Sequence, residues 1–252
     1  MNDRQESRAR WATAAAGWEA AAAEMRKVTM PVSTWMVEAI APQPGHTVLE
    51  LAAGPGDTGF LAAELIRPGG TLITSDHAPE MLSAAQRRAE QLDLLDDVRF
   101  RQIDAEQPID LEAASIDGVL CRWGLMLLHD PESALREVRR ILRPGGRLAL
   151  AAWADPEDNP FIAMPARILV ERGLLEPPDP SEPSPFSWAA ESISGTRSEL
   201  ISVPPGWMSS AARKPVSPGP AASSMIVWPG WGAIASTSHV ETGIVAWRSS
   251  SA

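Results

Sequence analysis

The run "VLELAAGPGDTGF", Val48 to Phe60, leads a short apolar segment straight into a glycine turn and on into a helical pattern. Gly54, Gly56 and Gly59 fit the G-x-G-x-x-G spacing of a dinucleotide loop. They fit equally well the looser loop, an acid followed by glycines, that holds another nucleotide-like cofactor. Glycine at such a turn lets the backbone take positive φ and approach a ligand closely. A strand that enters a helix this way points to an α/β sheet.

The rest of the chain repeats that pattern. "GGTLITSD", "DVRFRQID", "SIDGVLCRW" and "GRLALAAW" read as further strands. Between them "DTGFLAAELI", "PEMLSAAQRRAEQL" and "DPESALREVRRIL" read as helices, and "PFIAMPARILVERGLL" follows the fifth strand. Asp57 suits the N-cap of the first of these helices. Asp130 and Pro131 suit the cap and first position of the third. Strands alternating with helices imply right-handed crossovers and a doubly wound, mostly parallel Rossmann-like sheet. Upstream, Trp11, Ala15, Trp18, Ala22 and Met25 recur at helical spacing, and a second helix is expected to begin at Pro31.

Charge and cysteine content narrow the partners. The formal charge of −10 over 252 residues argues against a nucleic-acid or anionic-membrane face. Cys121 is the only cysteine, which suits a reducing compartment. The charged opening "MNDRQESRAR" has no apolar signal core, and no stretch reads as an integral membrane segment. The expectation is a cytoplasmic protein that works on a small molecule and needs no metal. No motif speaks to oligomeric state.

In an open α/β sheet ligands bind beyond the carboxyl ends of the strands, where the strand order reverses. Those ends offer Glu50 and the glycine loop, then Asp76, then Asp104 to Glu106, then Arg122, Trp123, Gly124 and Met126. Asp76 lies about twenty residues past the loop, where a carboxylate can take both hydroxyls of a ribose, although it also suits a helix cap. A pyrophosphate at the helix start would meet Glu50 and Asp57 and be repelled. S-adenosylmethionine carries no phosphate and has a sulfonium, so acids favour it. NAD stays as the alternative, without its short-chain dehydrogenase version, because the chain has no tyrosine.

The segments "VLELAAGPGDTGFLAAEL", "LITSDHAPEML", "FRQIDAEQ" and "GVLCRWGLMLLHDPESALREVRRILRPGGRLALAAW" resemble, in order, the motifs of class I S-adenosylmethionine-dependent methyltransferases. The likeness is to the broad type 11 group around the ubiquinone and menaquinone biosynthesis enzymes, over roughly residues 30 to 175. It implies that Glu50 and the backbone of Ala52, Gly54 and Gly56 face the methionine part of the cofactor. Asp76 would bind the ribose, His77 and Met81 would lie against the adenine, and Asp104 with Ala105 would read its amino group. Arg122 is placed with the cofactor too. Trp11, Trp18, Trp123 and Met126 would meet the acceptor. Ala52 stands where many members have glycine. Methyl transfer from a sulfonium is an in-line displacement, so positioning carries most of the catalysis. His129 is the one histidine close after the fourth strand and the candidate base; a solvated residue before the Asp130 cap is the plainer reading of it.

The organisation expected is a helical lid over 1–28, a cofactor-binding core over 29–187 and an atypical tail over 188–252. The class normally has seven strands, the last two a hairpin, and only five are legible here. Five of the ten tryptophans lie from Trp188 onward, in Ser- and Pro-rich text without period. Three readings stay open: an unstructured extension, an irregular substrate domain, or the product of a shifted reading frame. On the last, Leu148 and Leu150 would sit near an uncovered sheet edge, and the chain could bind cofactor without catalysing transfer.

Overall fold

The computed structural model describes residues 3–153, 156–157, 159–179, 181–188 and 242–248. Helix α1 (Asp3–Ile40) precedes β1 (Thr47–Glu50), α2 (Thr58–Leu65), β2 (Thr71–Asp76), α3 (Pro79–Gln91), β3 (Val98–Gln102) and β4 (Ile116–Arg122). Then come α4 (Pro131–Ile141), β5 (Leu142–Trp153), α5 (Pro160–Glu171) and β6 (Thr242–Arg248). The sheet order is β3-β2-β1-β4-β5-β6, with β1 to β5 parallel and β6 antiparallel to β5. This is the expected doubly wound architecture.

The central strands are apolar because helices cover both faces of the sheet. Leu72, Val48 and Leu120 pack on one side with Phe60 and Ile66. Leu49, Val119 and Leu148 pack on the other with Val138 and Ile141 of α4. Asp130 caps α4 as expected, accepting from the Ser133 N–H at 2.9 Å, with Pro131 at the first position. The "RPGG" segment bulges out at the start of β5, and the ladder to β4 is regular only from Arg147.

Two expectations change. One continuous helix stands where two were expected, with Pro31 in its interior. An interior proline costs about 3 kcal/mol in lost bonding and crowding. Burial of Val32, Ser33, Met36, Val37 and Ile40 against the core offsets it. The helix therefore runs through residue 28, where the lid was expected to end. The edge at Leu148 and Leu150 is also not bare, because β6 pairs along β5 from Arg147 to Trp153. The rest of the tail, residues 189–241 and 249–252, lies outside the described residues, and so do the readings placed on it.

Candidate functional site

The strand order reverses between β1 and β4, and a cleft opens beyond the carboxyl ends of the parallel strands. From β1 it is lined by Glu50 and by Ala52 to Pro55 with Asp57. From β2 come Asp76, His77 and Met81; from β3, Ile103, Asp104 and Ala105. The β4 end contributes Arg122, Trp123, Gly124, Leu127 and Leu128. Helix α1 closes the cleft with Trp11, Trp18, Ala22, Met25 and Thr29. The three acids at 50, 76 and 104, far apart in sequence, thus share one cavity.

Asp76 organises the loop. Its carboxylate accepts from the Gly54 N–H and from the Ala78 N–H, both at 2.9 Å. The first bond ties the glycine loop to β2 and the second fixes the turn before α3. The cap reading of Asp76 does not hold, since α3 is capped at Ala78 without a side-chain cap bond; each carboxylate oxygen keeps a further lone pair that can accept from a ligand. Burial pushes its pKa up, and these N–H groups pull it back.

Glu50 is 3% exposed, and its Oε2 has no hydrogen-bond partner. Burial pushes its carboxyl up to about 7, against the Gly59 N–H and the positive charge of Arg122. Any Cβ at position 59 would collide with Oε2, so the glycine there lets α2 come close to this acid. A buried oxygen left without a donor is costly unless something supplies one.

Asp57 corrects an expectation. It stands at the N-cap of α2 but makes no side-chain cap bond. Its Oδ1 accepts from Arg26 at 3.2 Å, and its Oδ2 lies 3.9 Å from Arg122. An aspartate already facing two guanidinium groups cannot repel a pyrophosphate as a free acid would, so that part of the case against NAD rests on Glu50 and Asp76. Arg122 also donates to Ser33 Oγ at 2.7 Å, and Ser33 shares a 2.9 Å hydrogen bond with Thr58 Oγ1. The Arg122 guanidinium lies 4.9 Å from the Trp123 ring centroid. Its burial lowers its pKa, against the charges of Asp57 and Glu50.

Trp123 has φ of 58°, an uncommon conformation for a bulky residue. Its ring stacks on Trp153, with centroids 4.4 Å apart and planes 7° apart, and its Nε1 is buried without a partner. Ala52, at φ 51°, takes the left-handed conformation that the usual glycine would, and its Cβ packs where a side chain on Gly124 would go. The β1 and β4 loops therefore meet closely at the switch point.

Three expected site residues lie elsewhere. Gly56 is buried away from the cleft; its φ of 73° and the adjacent Phe60 ring explain the glycine. Met126 is 3% exposed and packs with Ala152 and Trp153, because the 3-10 turn over Leu125–Leu127 drives it into the core. The same turn leaves Leu127 and Leu128 on the cleft and carries His129 past the rim, where its Nε2 is 3.9 Å from Glu182. Conversely, Arg26, Thr29 and Ser33 were missed. They lie at i, i+3 and i+7 on α1, and polar residues at helical spacing within a buried stretch were the available signal.

Residues 51–150 match the methyltransferase domain family. Over 123 residues the chain is 31% identical to the ubiquinone/menaquinone biosynthesis C-methyltransferase UbiE of Cellvibrio japonicus, covering 49% of this chain and 49% of that protein. Residues 51–150 thus form a methyltransferase domain. The cofactor of such a domain is S-adenosylmethionine, which decides between the two ligands its glycine loop left open. The chain is also 40% identical to an uncharacterized 37.1 kDa protein in transposon Tn4556 of Streptomyces fradiae, over 46% of this chain and 32% of that one. It thus spans half or less of the curated relatives it matches. A SAM-dependent methyltransferase from Aquifex aeolicus superimposes with a TM-score of 0.45 at 21% identity, over 48% of this chain and 64% of that one. No described helix is long and apolar enough to cross a membrane.

Proposed function

We propose that this protein transfers the methyl group of S-adenosylmethionine to a small-molecule acceptor. The observation that carries the reading is the convergence of Glu50, Asp76 and Asp104 on one cleft at the switch point. The unpartnered Oε2 of Glu50 fits the cofactor's ammonium. Asp76 would take the ribose hydroxyls while holding the loop through Gly54. Asp104 and Ala105 would meet the adenine, with His77 and Met81 along its face.

When bound, S-adenosylmethionine supplies an activated methyl group on a sulfonium. The chain's own work is then alignment and exclusion of water. Trp11 and Trp18, with ring centroids 6.4 Å apart, form part of the α1 wall of the cleft, which Trp123 also lines. They would hold an apolar or aromatic acceptor in line with the sulfonium. Among the described residues no histidine but His77 lines the cleft, so a nucleophile that is already anionic or carbon-centred suits it best. The UbiE name of a relative, a C-methyltransferase of quinone biosynthesis, is consistent with that preference.

Calorimetry tests the reading. S-adenosylhomocysteine is expected to bind one site per chain, with no heat from NAD. Binding of NAD in its place would overturn the assignment. Binding without methyl transfer to any phenolic or enolic acceptor in a mass-spectrometric screen would favour a cofactor-binding but inactive protein.

A further inference from the structure

The sheet order β3-β2-β1-β4 lays a ligand out across the strand ends. With the adenine at β3, the ribose at β2 and the methionine end at β1, the next strand is β4, about 4.8 Å further on. Beyond the sulfonium, on that side, comes the acceptor. The β4 end lines the cleft with Arg122, Trp123, Gly124, Leu127 and Leu128, and is apolar apart from Arg122 and the Trp123 indole nitrogen.

Among the described residues, three that line the cleft carry a buried side-chain atom without a hydrogen-bond partner: Thr29 Oγ1, Glu50 Oε2 and Trp123 Nε1. Glu50 suits the cofactor's ammonium. The Thr29 hydroxyl can give or take a hydrogen bond, so it does not discriminate between ligand groups. An indole N–H only donates, so it demands a lone pair, and leaving it buried without one is costly. The Trp123 donor is also fixed in advance. Its backbone N–H donates to the Ala151 carbonyl at 2.8 Å, and a φ of 58° is kept by a bulky residue only where its surroundings impose it. Its ring stacks on Trp153, which Phe161 meets edge-on at 5.5 Å. A donor held this way loses little freedom when a ligand arrives. Charge bears on what it takes. Glu50, Asp57, Asp76 and Asp104 outnumber Arg122 among the side chains lining the cleft, which favours a neutral oxygen over a further anion.

We infer that the Trp123 indole N–H anchors the methyl acceptor by donating to a neutral hydroxyl or carbonyl oxygen on its ring, and so sets acceptor specificity. The inference rests on the proposed methyl transfer and adds the chemical group by which the acceptor is chosen.

The test uses the protein saturated with S-adenosylhomocysteine and two probes that differ only in a hydroxyl, 2-naphthol and naphthalene. By equilibrium dialysis the wild type is expected to prefer 2-naphthol about three- to tenfold, the range for one neutral hydrogen bond. Trp123→Phe is expected to lose that preference and to bind naphthalene as the wild type does; unchanged affinity for S-adenosylhomocysteine shows that the variant is folded. In proton–nitrogen NMR spectra of the wild type, the Trp123 indole proton is expected further downfield with 2-naphthol than with naphthalene. If Trp123→Phe keeps the full preference, or both probes leave that proton in the same place, the oxygen lies elsewhere and the inference is overturned. A downfield move with S-adenosylhomocysteine alone would give the N–H to the cofactor and overturn it too, with the cofactor reading intact. If S-adenosylhomocysteine binds and neither probe does, the aromatic acceptor falls together with the inference. Failure to bind S-adenosylhomocysteine would instead overturn the cofactor reading beneath both.

Discussion

At the scale of single residues, the site depends on groups whose burial opposes their charge. Glu50 has a carboxyl raised to about 7, mainly by burial. An acid whose folded pKa is raised adds stability that is complete below its ordinary pKa and is lost as pH rises through the folded value. Burial also raises Asp57 and Asp76, so they act in the same sense. Between pH 5 and 8 the ligand-free protein should therefore lose on the order of 3 kcal/mol through Glu50. Glu50→Gln should flatten that slope in thermal melts, and an unchanged slope would assign the titration to another group. Cofactor affinity should move oppositely, rising with pH through 7, because an ammonium favours the ionised carboxylate. At the glycine turn, a Cβ on Gly56 would sit 2.6 Å from the Phe60 ring at φ 73°. Gly56→Ala should cost about 2–4 kcal/mol in urea unfolding, from left-handed strain and overpacking together. Ala52 could be read in advance as a departure from the usual glycine. That it takes the left-handed conformation could not, since nothing local announces a φ of 51°.

At the scale of elements, the strands and crossover helices were legible because each is short and strongly patterned. Helix α1 was not, because Pro31 reads locally as a start signal while its neighbours are buried by distant parts of the chain. Its attachment is apolar in the main. Met36 is fully buried, whereas the Glu19–Arg87 pair that ties α1 to α3 is exposed. Met36→Ala should cost about 2–5 kcal/mol. Arg87→Gln should leave the melting temperature unchanged within error. If the Arg87 variant proved the more damaging, the helix would be held by charge and not by packing. The polar stripe Arg26, Thr29 and Ser33 makes α1 part of the binding wall as well as a cover. Its partners, Asp57 and Arg122, lie 31 and 89 residues away along the chain from Arg26 and Ser33 respectively.

At the scale of the whole molecule, the sheet closes its β5 edge with an antiparallel strand from the far end of the chain. An uncovered edge is a template for association between chains. Deleting residues 242–252 should therefore raise light scattering on heating and lower the recovery after refolding; unchanged behaviour would mean that β6 contributes little to the edge. By itself the sequence determined the order of β1 to β5 and the helices between them, the glycine loop and the acids at or just past the ends of β1, β2 and β3, since alternation, turn chemistry and spacing act over a few residues. Only the tertiary structure decided that those acids share a cleft, that Asp57 pairs with arginines instead of capping its helix, and that Met126 and His129 turn away. Each of these depends on through-space distances between groups far apart in the chain, where desolvation and charge pairing are settled by what packs nearby and not by what comes next in line.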